Sequence, residues 1–173
     1  MSGTILGRRN TMGQNIQDKF NDIQNEIRLA IMEFIINEAR PFNINTDGFQ
    51  ALDNIKLSNI DDFSGIIEVL TAKDGLVADE EKNINFIYPV SALGTNHKVT
   101  LADGRQFFAM CAIDAIGATF TFHQDTEIHS ACSVCEQEAY VKMKNGKAVE
   151  YYPENLHALT FKLEELANWA GSC

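Results

Sequence analysis

HKVTLADGRQFFAMCAIDAIGATFTF, residues 97–122, is the stretch on which the fold turns. Its first half reads as a hairpin, HKVTL and RQFF about a turn at Asp103-Gly104. The second half follows at once and has few polar side chains. If that run is helical, Cys111 and Asp114 stand at i and i+3 and point into the same space. A thiol beside a carboxyl is a reaction centre in outline. The bland reading is a buried cysteine on a core helix and an aspartate that caps or pairs locally. Asp114 weighs against it, because a carboxylate within AMCAIDAIGA has almost no local solvation. Desolvation raises a carboxyl pKa, so such a group can hold a proton near neutrality and donate it.

Downstream, DTEIHSAC and EQEAYVKMKNGKAVEYYP read as strands, with a hairpin turn at Asn145-Gly146. The closing NLHALTFKLEELANWAGSC reads as a strand followed by a short helix. Upstream, Ile16, Phe20, Ile23, Ile27, Ile31 and Phe34 make an apolar stripe on a helix from Asn15 that stops near Pro41. DGFQALDNI reads as a second helix capped by Thr46, and IDDFSGIIEVLTAKDG as a third that ends at Gly75. LVADEEKNINFIYPV then forms two short strands about a charged turn. The fold class expected is α+β. Residues 1–14 are a tail, 15–91 a winged-helix-like three-helix region, and 92–173 a small antiparallel sheet with one or two helices.

Charge narrows the partners. The chain of 173 residues carries a formal net charge of −10, which argues against nucleic acid or an anionic membrane. Between Phe42 and Val90 three basic residues (Lys56, Lys73, Lys82) face nine acidic ones, a surface that repels phosphates. No apolar run reaches the roughly 20 residues needed to span a bilayer. The start, MSGTILGRRNTMGQN, has no apolar h-region, so the expected compartment is the cytoplasm.

The four cysteines, at 111, 132, 135 and 173, are few and unevenly spaced, so they read as thiols, ligands or nucleophiles rather than a disulfide framework. In His129-Ser-Ala-Cys132-Ser-Val-Cys135 the C-x2-C spacing lets two thiolates grip one soft ion, with His129 placed to add a third ligand. A structural zinc site needs four, so Cys111, His123 or Cys173 would have to complete it. The alternative is two reduced thiols at a strand end. His97, His123 and His157 show no triad-like arrangement, and Cys173 stands on a terminal tail.

Together these elements resemble the alkylmercury lyase family, over roughly residues 15–173. The likeness rests on a winged-helix-like start, a hairpin leading into Phe107-x-Ala-Met-Cys-Ala-Ile-Asp114, a strand ending Ser130-Ala-Cys-Ser133, and Ala167-Asn-Trp-Ala170. The resemblance implies that Cys111 and Asp114 are the catalytic cysteine and aspartate of a carbon–mercury lyase. It implies no required cofactor, a small organometallic substrate, and an external thiol that accepts the mercuric product. One departure stands out. The family's second catalytic cysteine falls in a segment corresponding to residues 155–166 here, NLHALTFKLEEL, which contains none. The competing function is a non-enzymatic binder of mercury, zinc or copper(I) through Cys132 and Cys135. Different chemistry at the same Cys/Asp pair is a third reading.

Overall fold

The structure is a computed structural model that describes residues 19–48 and 60–158. The first helix, α1, spans Asp22–Glu38. Asn21 caps it, accepting from the Gln24 backbone N–H at 2.9 Å, while the Gln24 side chain accepts from the Asn21 N–H at 3.1 Å. This reciprocal pair satisfies two otherwise orphaned donors, which is why α1 starts at Asp22 and not at Asn15. Phe20 is buried, but it lies ahead of the helix. Ala39, in the left-handed region at φ 51°, closes α1 just before Pro41. The buried face of α1 is Ile27, Ile31, Met32 and Ile35, together with the guanidinium-bearing Arg28. Arg28 donates to the Tyr88 carbonyl at 2.8 Å and lies over the Phe20 ring.

Strand β1 (Phe42–Asn43) follows, then helix α2 (Ile60–Ala72), whose Phe63, Ile67 and Leu70 are buried. The left-handed residue that ends α2 is Asp74, φ 55°, and not Gly75. The Gly75 N–H returns to the Leu70 carbonyl at 2.7 Å. Glycine is needed there for a different reason: a Cβ would lie 2.5 Å from Phe20 Cζ. The helix expected over DGFQALDNI lies mostly outside the described residues, as do the 1–14 tail and the strand and helix expected after residue 158.

Strands β2 (Leu76–Ala78) and β3 (Asn83–Ile87) form the expected hairpin, and β4 (Val90–Ser91) pairs back on β3. β5 (His97–Leu101) and β6 (Gln106–Ala109) form the second hairpin, turning at Gly104 with φ +90°. Helix α3 (Ala112–Thr121) leads to β7 (Thr126–Ala131), β8 (Glu138–Lys144) and β9 (Lys147–Tyr152). The β8–β9 turn uses Asn145 and Gly146, both at positive φ, as the sequence predicts.

Among the described residues, three helices and nine strands make a mixed α and β fold around one antiparallel sheet, in the order β1-β3-β4-β6-β5-β7-β8-β9, with β2 also pairing β3. β4 joins the N-terminal strands to β6, and one apolar cluster runs from Ile31 and Phe63 through Val90 to Val99, Ala115 and Ile128. Full burial of each large apolar side chain in such a cluster contributes about 1.5–3 kcal/mol. Arg105 ties the second hairpin to α1, donating to Asp103 at 2.7 Å and to Glu33. No helix among the described residues is long and apolar enough to cross a membrane.

Candidate functional site

The thiol and carboxyl singled out in the sequence meet, but not on a helix face. β6 ends at Ala109, and Cys111 is extended at φ −142°, ψ 175°. It is therefore the cap of α3 and not a residue within it, which corrects the helical reading of this position. Asp114 occupies the first turn, three residues on. The Cys111 thiol donates to Asp114 Oδ2 at 3.2 Å, and the Cys111 backbone N–H also bonds the Asp114 carboxyl. Asp114 thus satisfies one donor at the helix start, the task a glutamate performs in a capping box. The Cys111 side chain makes no reciprocal capping bond.

Two effects oppose each other at Asp114. Burial pushes its pKa up, while the two bonds from Cys111 pull it down, and burial wins: the carboxyl is pushed up to about 6. A group poised there exchanges a proton readily near neutral pH. α3 lies on β5, β6 and β7 through Ala115 and Ala118, both fully buried, whose small side chains allow close approach. At the far end of α3, Thr119 and Thr126 share a hydrogen bond of 2.6 Å.

Strand alternation adds a pair that sequence reasoning missed. His97 shares the face of Val99 and Leu101, and Ser130 shares that of Ile128 and Thr126; all four of those neighbours are buried. His97 Nδ1 and Ser130 Oγ are 2.9 Å apart, on the side of the sheet that carries α3. Thr95 Oγ1 donates to the Ala109 carbonyl and accepts from the His97 N–H, which fixes this end of the sheet where β6 hands over to α3. Burial lowers the His97 pKa and favours the neutral imidazole. The period-two pattern of HKVTL and TEIHSA held the signal, but only the β5–β7 register brings the two residues opposite one another.

The ligand set expected from the sequence, Cys111, His129, Cys132 and Cys135, is not gathered. Among the described residues no three His, Cys, Asp or Glu side chains come together to hold a metal ion. Strand alternation turns His129 to the face away from α3, where its ring lies 5.0 Å from that of Tyr140. Cys132 and Cys135 are exposed in the turn after β7, whereas Cys111 is half-buried at the start of α3. None of these three is in a disulfide. His123 sits exposed at positive φ just after α3, and Cys173 lies outside the described residues.

Residues 90–173 match the family model described as alkylmercury lyase. This part of the chain is alkylmercury lyase-like. The match takes in Cys111, Asp114 and the Cys132–Cys135 turn but not residues 15–89, which the resemblance had included. A solved structure, the mercury-bound form of MerB2, has the same fold, with a TM-score of 0.56 at 22% identity over 80% of this chain. The chain spans 64% of that protein's length. No curated protein sequence matches it.

Proposed function

We propose that the protein cleaves carbon–mercury bonds by protonolysis, with Cys111 as the mercury-binding thiolate and Asp114 as the acid–base. The observation that carries this reading is the 3.2 Å contact between the Cys111 thiol and a buried Asp114 carboxyl held near neutrality. Mercury is a soft cation that prefers thiolates. As a sulfur–mercury bond forms to R–Hg–X, Asp114 takes the Cys111 proton and X leaves with its electron pair. An external thiolate then adds to mercury. The carbon–mercury bond breaks with its electrons going to carbon, and the Asp114 proton follows them, releasing R–H. Mercury is left between Cys111 and the external sulfur, and a second external thiolate exchanges it away. The external thiol fills the role of the family's second cysteine, which residues 155–166 lack.

In the same reading, residues 15–91 are a winged-helix-like unit with a structural role, since an acidic surface repels phosphates. The deciding experiment supplies the full chain with phenylmercury and excess monothiol and measures benzene. The expected result is benzene release that Asp114→Ala reduces by roughly 10²–10⁴, the usual contribution of general acid–base catalysis. No benzene, or an unaffected Asp114→Ala, would overturn the reading.

A further inference from the structure

The turn that follows β7 is built differently from an ordinary loop. Residues 133–135 are closed by the Glu136 N–H on the Cys132 carbonyl at 2.9 Å and by the Cys132 N–H on the Gln137 carbonyl at 2.9 Å, with Glu136 at φ 58°. Inside this turn the backbone N–H groups of Val134 and Cys135 both point at the Cys132 sulfur, and the Cys135 thiol bonds to it as well. Converging backbone donors make a small anion-binding concavity. Here the group they surround is the Cys132 sulfur, on an exposed turn that presents both thiols.

We propose that Cys132 and Cys135 form a two-thiolate site for a two-coordinate soft cation, and that mercuric ion is its occupant. Two observations favour a two-coordinate soft ion over zinc. The sulfurs stand within hydrogen-bonding reach of each other, which suits chelation. Among the described residues no third histidine, cysteine or carboxylate joins them, whereas structural zinc requires four ligands. Mercury(II) binds two thiolates and needs no more. On loading, both thiols lose their protons, two sulfur–mercury bonds form, and two monothiol ligands leave the metal as free thiols.

Topology places this site beside the other thiol. β6 and β7 run the same way and are separated only by β5, so Cys111 and Cys132 both begin just past strand ends on one rim of the sheet. Two strand spacings come to about 10 Å. The choice of mercury as the natural occupant rests on the proposed lyase reaction, which would generate that ion on the same rim; the chelate itself does not depend on it.

The test uses the full chain carrying Cys111→Ser and Cys173→Ser, so that only the pair remains of the four cysteines. The reduced protein is loaded with mercuric ion, challenged with excess monothiol, and examined by native mass spectrometry and by sulfur-to-mercury charge-transfer absorption. One mercury per chain should be retained, and a further Cys132→Ser or Cys135→Ser should weaken retention roughly 100-fold, the loss expected when a chelate becomes a single contact. Equal retention by the pair and by either single thiol, or a reduced pair that holds no mercury, overturns the site. Benzene release by the unmodified chain is scored separately. Retention without benzene would break only the lyase reading, and benzene without retention only this one.

Discussion

The two thiol-bearing corners of the molecule begin alike and end differently. Each follows a strand that stops on the same rim, β6 at Ala109 and β7 at Ala131. After β6 the chain enters a helix, and the thiol meets a buried carboxyl. After β7 it closes an exposed turn, and the thiol meets backbone N–H groups. The first arrangement sets a buried carboxyl next to sulfur; the second sets backbone donors and a second thiol there. On the proposed readings the first corner would serve bond cleavage and the second ion retention. Burial makes the difference, because the same hydrogen bonds in water would leave Asp114 an ordinary carboxylate.

The comparison breaks first on activity. Cys111→Ser should abolish benzene release, and Asp114→Ala should cost roughly 10²–10⁴. Serine substitution in the exposed turn should instead act mainly on mercury retention. If Cys132→Ser stops benzene release in excess monothiol as completely as Cys111→Ser, the two corners are one site.

Stability offers the next test. Asp114 is raised in the folded state, so between about pH 4 and about pH 6 the native protein binds more protons than the unfolded chain. Its contribution is fully present below that window and is lost as the pH rises through it. At pH 7 the ionised buried carboxyl costs about 3 kcal/mol relative to one left in water. Asp114→Asn keeps an acceptor for the Cys111 N–H and removes the charge. Urea unfolding should therefore find the variant gaining on the original protein from pH 4 to pH 7, by up to about 3 kcal/mol. A constant difference across that range would show that burial does not govern Asp114.

Smaller effects sharpen the contrast. Ser130→Ala leaves the half-buried His97 without its 2.9 Å partner and should cost about 1 kcal/mol in the same assay. Val134, 91% exposed in the Cys132–Cys135 turn, should tolerate serine within about 0.5 kcal/mol. A cost above 1 kcal/mol there would mean that the turn is packed rather than presented to solvent.

Short-range signals explain what was legible in advance. Asp103-Gly104 and Asn145-Gly146 mark hairpins because Gly104, Asn145 and Gly146 take positive φ that few residues adopt cheaply. The apolar spacing of Phe63, Ile67 and Leu70 marks α2 because a helix brings those positions onto one face. α1 starts at Asp22 and not at Asn15 because the reciprocal bond between Asn21 and Gln24 outweighs the apolar stripe that begins at Ile16. Arg28 was invisible as a buried residue, since only the fold supplies the Tyr88 carbonyl that receives it.

At the site, the sequence by itself determined that a thiol and a carboxyl lie three residues apart in apolar surroundings, and that two more thiols lie three apart near a strand end. Separation along the chain is local information, and it bounds which groups can touch. Only the tertiary structure decided that Cys111 caps α3, that His129 faces the opposite side of the sheet from α3, and that His97 meets Ser130. Those outcomes depend on where an extended strand yields to a helix and on which residues face one another across β5 and β7. Register and burial arise between segments distant in sequence, so no local pattern carries them.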